Sequence, residues 1–337
     1  MGKKKVLVSH CEIPQPALDL LKEKYECIIC PELPAPTRQQ VLDRLPGVDA
    51  VFWWGKGSLD KEFLDKAGSS LKVLALMSAG YNHVDVTEVK ARGIKLGNTP
   101  NVLDAAVADQ AVLLALAAGR RMQEGRQRIL DNQWDIARPQ WLLGQQLKDS
   151  VVGIVGLGGI GQAISKRLRA FEISKLLYTG HKPKPEATTY SAEFVPLDTL
   201  LRESDYVLIA CPLNSETRSM FNEGAFSKMK PNSILVNISR GEFLMYDLNS
   251  FRDENEEEVV DQSALVKALE TGQIFAAGLD VMYPEPLPPD HKLLSLNNCV
   301  IVPHLGSATL KTRTDMAMLT ARNIIAGLEG TPLPAPL

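Results

Sequence analysis

Arg240, Glu285 and His304 are the residues most able to do chemistry together. Each follows an apolar run: Arg240 comes after Ile234 to Ile238, Glu285 lies in the loop after Phe275 to Asp280, and His304 follows Cys299 to Val302. If those runs are parallel strands, the three side chains gather at carboxyl strand ends, the edge where open α/β sheets place their ligands. A guanidinium fork can grip a carboxylate and its neighbouring carbonyl bidentately. An imidazole with a near-neutral pKa can protonate an oxygen that becomes an alkoxide, and a carboxylate behind it would fix its tautomer and favour the imidazolium. Together they suit reduction of a 2-oxo acid by hydride. Singly, each has a blander reading: Arg240 as a loop salt bridge, Glu285 between Pro284 and Pro286 as a turn residue, His304 as a satisfied polar group before Gly306.

Hydride needs a donor. Val151 to Val155 is a β-branched run that leads into Gly156-Leu-Gly158-Gly-Ile-Gly161, and an amphipathic pattern continues through Ile164 and Leu168. Strand, tight turn and helix in that order make a dinucleotide fingerprint, in which a pyrophosphate sits on the unpaired N–H groups of the helix N-terminus. Gly156, Gly158, Gly159, Ile160 and Gly161 are therefore the phosphate-binding candidates. About twenty residues on, an NAD site offers Asp or Glu to the ribose 2′-OH. Here Lys175 to Thr179 is followed by Gly180, His181, Lys182 and Lys184. A neutral to cationic pocket suits a 2′-phosphate, so NADP is the expected preference with NAD possible; a solvated lysine loop is the plain alternative.

Composition sets the frame. A chain of 337 residues with net charge −3 accommodates two cores and gives no electrostatic reason to expect nucleic acid. Five scattered cysteines argue for a reducing compartment, and Cys27-Ile-Ile-Cys30 reads as strand packing rather than a redox pair. No secretory signal is visible, and the apolar stretch Ala105 to Gly119 carries Asp109 and Gln110 and is short for a membrane span. A cytoplasmic protein with no membrane partner and no metal is expected.

Strand-like and helical runs alternate along the chain, which predicts an α/β protein of two doubly wound parallel-sheet domains. The first series runs through Val6–Val8, Cys27–Cys30, Ala50–Trp53, Lys72–Met77 and Ile94–Leu96, with helices near Ala17 to Lys24 and Gln39 to Leu45. One long helix is expected from Val102 to about Ile129. A second series starts at Val151, and the helical pattern from Thr309 to Leu328 has no strand of its own, so it could return to the first domain. The expected division is a substrate domain over 1–104, completed by 308–337, and a dinucleotide-binding domain over 105–307. Glu242 to Glu258 breaks the rhythm, because a connection there should need about two to six residues. Its acidic half, Asp253, Glu254, Glu256, Glu257 and Glu258, reads as a solvated loop.

Gly156–Gly161, Asn237-Ile-Ser-Arg-Gly241, Gly278-Leu-Asp-Val281 with Pro284-Glu-Pro-Leu287, and Pro303-His-Leu-Gly-Ser307 occur in the order that resembles the D-isomer-specific 2-hydroxyacid dehydrogenases. Ser78-Ala-Gly80-Tyr-Asn-His83, Asn98 to Leu103, Pro139-Gln-Trp-Leu142 and Tyr178-Thr-Gly-His181 are similar to the glyoxylate and hydroxypyruvate reductases within that family. The resemblance implies a flavodoxin-like substrate domain, a Rossmann cofactor domain and a homodimer built on the helix from Val102 and the segment after it. It implies Arg240, Glu285 and His304 as the catalytic set, with the backbone N–H groups of Ala79 and Gly80 receiving the substrate carboxylate. Ile238, Asp280 and Gly306 would lie beside the cofactor, Cys211 and Pro212 along its adenosine, and Trp141 of a partner subunit would limit substrate size. Two departures stand out: glycine at 159, and the stretch from about Phe243 to Glu258. The reading that follows is reduction of glyoxylate and hydroxypyruvate to glycolate and D-glycerate. Its rivals are a relative with another 2-oxo acid substrate, or a catalytically weak nucleotide-sensing protein whose acidic insertion binds a partner.

Overall fold

The computed structural model describes residues 2–55, 57–134, 138–239 and 258–337. They divide into two compact units, one of residues 2–103 and 308–337, the other of 104–239 and 258–307.

In the first unit the order is β1 (Lys5–Val8), α1 (Gln15–Lys22), β2 (Glu26–Ile29), α2 (Arg38–Leu42), β3 (Ala50–Trp53), α3 (Lys61–Ala67), β4 (Val73–Leu76), α4 (Val86–Ala91) and β5 (Lys95–Gly97). The strands form one parallel sheet in the order β2-β1-β3-β4-β5. This is the flavodoxin-like order expected from the sequence. Ala50 to Trp53 and Val73 to Leu76 are buried throughout, as continuous apolar runs must be when helices cover both faces. Two short helices escaped the sequence reading, and both begin at an aspartate cap: Asp60 accepts the Phe63 N–H and Asp85 that of Glu88.

The second unit opens with α5 (Asp104–Gly119) and α6 (Met122–Leu130), followed by β6 (Val151–Val155), α7 (Gly159–Leu168), β7 (Lys175–Thr179), β8 (Ala192–Phe194), α8 (Leu197–Glu203) and β9 (Tyr206–Ile209). It continues with α9 (Glu223–Phe226), β10 (Ile234–Asn237), α10 (Gln262–Glu270), β11 (Ala276–Leu279) and β12 (Cys299–Ile301). Its parallel sheet runs β12-β11-β10-β9-β6-β7-β8, with the reversal of strand order between β6 and β9 that marks a Rossmann sheet.

The chain then closes with α11 (Leu310–Glu329), which packs in the first unit on α1, β3 and β4. Thr309 caps it, and Gly330, at φ 80°, ends it in the left-handed conformation. Inside the contact, Asn323 donates to the Asn98 carbonyl and accepts from the Ala335 N–H, so buried polar groups on both sides are satisfied.

The single long helix expected from Val102 to Ile129 is two helices. Arg121 stands between them at φ 52°, and the Gly119 carbonyl accepts the Gln145 N–H instead of continuing the helical ladder. The close return of the chain demands this: an ideal Cβ at Gly144 would lie 2.2 Å from the Gly119 oxygen. The stretch expected as a solvated loop lies outside the described residues except for its last member. Glu258 corrects that expectation, being only 4% exposed, with its carbonyl accepting the Ser219 N–H and a carboxylate oxygen accepting the Gln262 N–H.

All five cysteines are free. Burial pushes the Cys211 thiol up to about 11 and that of Cys299 up to about 12, so at pH 8 both are almost wholly protonated. A thiol-exchange reagent should therefore modify the partly exposed Cys11 first and reach Cys211 and Cys299 only in denaturant. Rapid labelling of Cys299 in the native protein would show that its strand opens readily.

Candidate active site

The fingerprint turn begins where β6 ends. Gly156 has φ 98° and its N–H is donated to the Thr179 carbonyl, which ties the turn to the end of β7. A Cβ at Gly156 would meet the Cys211 backbone at 2.9 Å, and one at Gly161 would lie 2.2 Å from the Gly156 oxygen. Both glycines are therefore required by packing. Gly158 is different: its φ of −78° suits any residue and an ideal Cβ there meets nothing within 4 Å among the described residues. The space it leaves open lies at the N-cap of α7, which has no side-chain cap. Gly159, Ile160 and Gly161 form the first turn, whose N–H groups have no acceptor within the helix. This cradle fits a dinucleotide pyrophosphate, with the helix dipole favouring the anion.

Glu285 and His304 meet. A carboxylate oxygen of Glu285 lies 2.9 Å from His304 Nδ1 and the other accepts the Met282 N–H at 3.1 Å, while the residue is 5% exposed. An ionised carboxylate only accepts, so Nδ1 carries the hydrogen of that bond and Nε2 is the atom that would hold a transferable proton. His304 itself has φ 54°, a left-handed backbone unusual for a non-glycine residue, and its N–H is donated to the Asp280 carbonyl.

Asp280, which the sequence placed beside the cofactor, supports this loop. Its two carboxylate oxygens accept the Leu305 and Gly306 N–H groups at 2.7 and 3.0 Å. Burial raises its pKa, opposed by the charge of His304 and by those two donors. Any Cβ at 306 would lie 2.8 Å from the same carboxylate, so Gly306 is set by close approach. Sequence reasoning missed this bracing role, for which the Gly at 306 is the available signal.

Arg240 lies outside the described residues. Ile238 is buried at the end of β10, its N–H donated to the Ile209 carbonyl. Cys211 is buried after β9, and the Pro212 carbonyl accepts the Thr217 hydroxyl. Ala79 and Gly80 follow β4 in the first unit. Asn98 donates to the Ala79 carbonyl and the Ser78 hydroxyl to that of Gly80. A trans peptide opposes its C=O and N–H, so the bond from Asn98 aims the Gly80 N–H away from that side chain. Trp141 is partly exposed in a turn closed by its N–H on the Arg138 carbonyl.

His181 and Lys182 are exposed just past β7. An acid from the loop after β9 lies close by: Glu216 is 3.0 Å from His181 Nδ1, the two side chains being 68% and 71% exposed.

A family model for the D-isomer specific 2-hydroxyacid dehydrogenase NAD binding domain matches residues 112–247 and 256–306. The chain is 46% identical over 280 residues to the glyoxylate reductase/hydroxypyruvate reductase of Mus musculus, covering 83% of this chain and 80% of that protein. It is 40% identical to the glyoxylate reductase of Thermofilum pendens, over 99% of this chain and 94% of the relative. Among solved structures, it superposes with a TM-score of 0.81 and 30% identity on the NADPH-dependent glyoxylate/hydroxypyruvate reductase of Sinorhizobium meliloti in complex with NADP and malonate, covering 100% and 97% of the two chains. The chain belongs to the D-isomer specific 2-hydroxyacid dehydrogenase family. It is an oxidoreductase whose cofactor is a nicotinamide dinucleotide, and the eight residues 248–255 fall between the two matched segments.

The two kinds of glycine can be told apart by substitution. Gly161→Ala should lower stability by about 1–3 kcal/mol and weaken nucleotide binding, because backbone must move to admit the methyl group. Gly158→Ala should leave the unfolding midpoint within a degree or two and still weaken nucleotide binding about tenfold or more. Thermal unfolding and titration with the oxidised cofactor read both, and wild-type affinity in Gly158→Ala would remove that position from the cradle.

Proposed function

We propose that the protein reduces glyoxylate and hydroxypyruvate to glycolate and D-glycerate. The observation that carries the reading is the bond between Glu285 and His304 Nδ1, in a chain whose relatives include glyoxylate reductases. A bound reduced nicotinamide supplies the hydride. With Glu285 accepting the Nδ1 hydrogen, the second proton of the imidazolium sits on Nε2, and His304 gives that proton to the carbonyl oxygen as it becomes the hydroxyl. Asp280 keeps His304 in place by holding the two amides that follow it. The backbone N–H groups of Ala79 and Gly80 receive the substrate carboxylate, and Arg240 grips the carboxylate and the carbonyl.

The cofactor preferred in this reading is NADP, with NAD also accepted. His181 and Lys182 at the end of β7, with Lys184 beyond them, provide the charge for a 2′-phosphate, and no carboxylate lies on that strand end. Glu216 works against the preference through its pairing with His181. A homodimer belongs to the same reading, with Trp141 entering the partner's site. What supports it is apolar side chains left exposed on α5, α6 and the segment that follows: Leu113, Met122, Ile129, Leu130, Trp134 and Leu143. A cytoplasmic location belongs to the same reading, and the five free cysteines support it.

Oxidation of NADPH and NADH, followed by absorbance with glyoxylate and then hydroxypyruvate, tests the assignment. Turnover is expected with both acids, faster with NADPH. The same rates are expected from a chain lacking residues 248–255; activity confined to the shortened chain would mean that the extra residues disable this one.

His304→Gln should lower kcat by about 10²- to 10⁴-fold with a much smaller change in KM, and an unchanged kcat would remove His304 from the acid role. Glu216→Gln should raise the preference for NADPH over NADH by roughly two- to fivefold, the range of an exposed charge pair. No movement in that ratio would place the 2′-phosphate away from His181.

A further inference from the structure

We propose that Gln262 is the positioning residue of the catalytic carboxylate, holding the loop that presents Glu285 to His304. Its side-chain amide binds both backbone polar groups of a single residue: Oε1 accepts the Tyr283 N–H at 2.9 Å, and Nε2 donates to the Tyr283 carbonyl. An amide used in this way replaces a neighbouring strand and leaves that residue no freedom to rotate about the loop axis. Tyr283 is buried and stands two residues before Glu285, whose carboxylate in turn accepts the N–H of Met282, the residue before Tyr283. Residues 282 to 285 are thus bonded at one end to Gln262 and at the other to His304.

Gln262 can act as an anchor because it is itself fixed. It is the first residue of α10, whose Leu265, Ala268 and Leu269 lie in the core, and Asp261 caps that helix by accepting the Ala264 N–H. The Gln262 N–H is donated to the buried Glu258 carboxylate. Residues 258 to 261 are stapled to the neighbouring segment by Ser219 N–H to Glu258 carbonyl, Phe221 N–H to Val259 carbonyl, and Asp261 N–H to Phe221 carbonyl bonds. Support therefore runs from the core of this unit through Glu258 and Gln262 to Tyr283, Glu285 and His304. A catalytic pair needs such backing, because small misplacements of a proton donor cost orders of magnitude in rate.

The proposal rests on the reading of Glu285 and His304 given above, and its test separates the two. Gln262→Met keeps the length of the side chain and removes both bonds to Tyr283; Gln262→Glu keeps the acceptor and removes the donor. Gln262→Met is expected to lower kcat about tenfold, with KM for hydroxypyruvate and for NADPH unchanged within about twofold. Gln262→Glu should fall between Gln262→Met and the wild type, and it provides the measurement if the methionine variant does not fold.

A second readout needs neither substrate nor cofactor. The His304 Nδ1 proton, held by Glu285, should give a downfield proton resonance in the full-length protein, assigned by its loss in His304→Gln. In Gln262→Met that resonance should broaden or vanish while the unfolding transition stays cooperative. Wild-type kcat in both Gln262 variants overturns the proposal, as does an intact Nδ1 proton signal in Gln262→Met. Normal kcat in His304→Gln sinks the functional reading instead, whatever the Gln262 variants do to the resonance.

Discussion

The buried carboxylate of Asp280 is the interaction on which this site depends. It sits just past the end of β11 and holds the two amides that follow His304, beyond the end of β12. Removing a carboxylate from water is costly, and the amides it accepts are what recover that cost. The same bonds hold the chain after His304 while the histidine adopts a left-handed backbone that few residues tolerate. The imidazole then stands where a second carboxylate, Glu285, can accept its Nδ1 hydrogen. Two acids close together serve different ends: one braces backbone, the other fixes a tautomer.

The cofactor cradle is governed by sterics more than by charge. Gly156 and Gly161 are glycines because backbone lies where a methyl group would go. Gly158 has no such neighbour among the described residues, and its openness leaves room for something else to approach. At the proposed adenosine end, exposed charges of both signs meet: the cationic chain after β7 and a glutamate from the loop after β9. Exposed charges of this kind are weak individually and screened by salt, so they tune a preference and do not create binding.

The sequence departs from its family pattern before α10, and the structure gives the end of that departure a definite place. Glu258 is built into the core side of the helix start, with partners on both its backbone and its side chain. A carboxylate that looks solvated by composition is buried because the chain must rejoin α10 at a fixed point. Composition averages over neighbours, whereas burial is decided residue by residue.

Much of the fold was legible in the chain itself. The runs at Ala50–Trp53 and Lys72–Met77 announced strands covered on both faces, and the ordered motifs at 156–161, 284–287 and 303–307 announced the family. Those signals are local: period, turn chemistry and residue type suffice to state them. The break at Arg121, the brace from Asp280, the pairing of Glu216 with His181 and the grip of Gln262 on Tyr283 were not legible. Each depends on a contact between residues well apart in the chain, or on a returning segment such as Gly144 passing against Gly119. Sequence by itself determined the alternation of strands and helices and which residue types could do the chemistry. Tertiary structure alone decided how those residues are held, because it fixes which backbone groups remain for a side chain to satisfy.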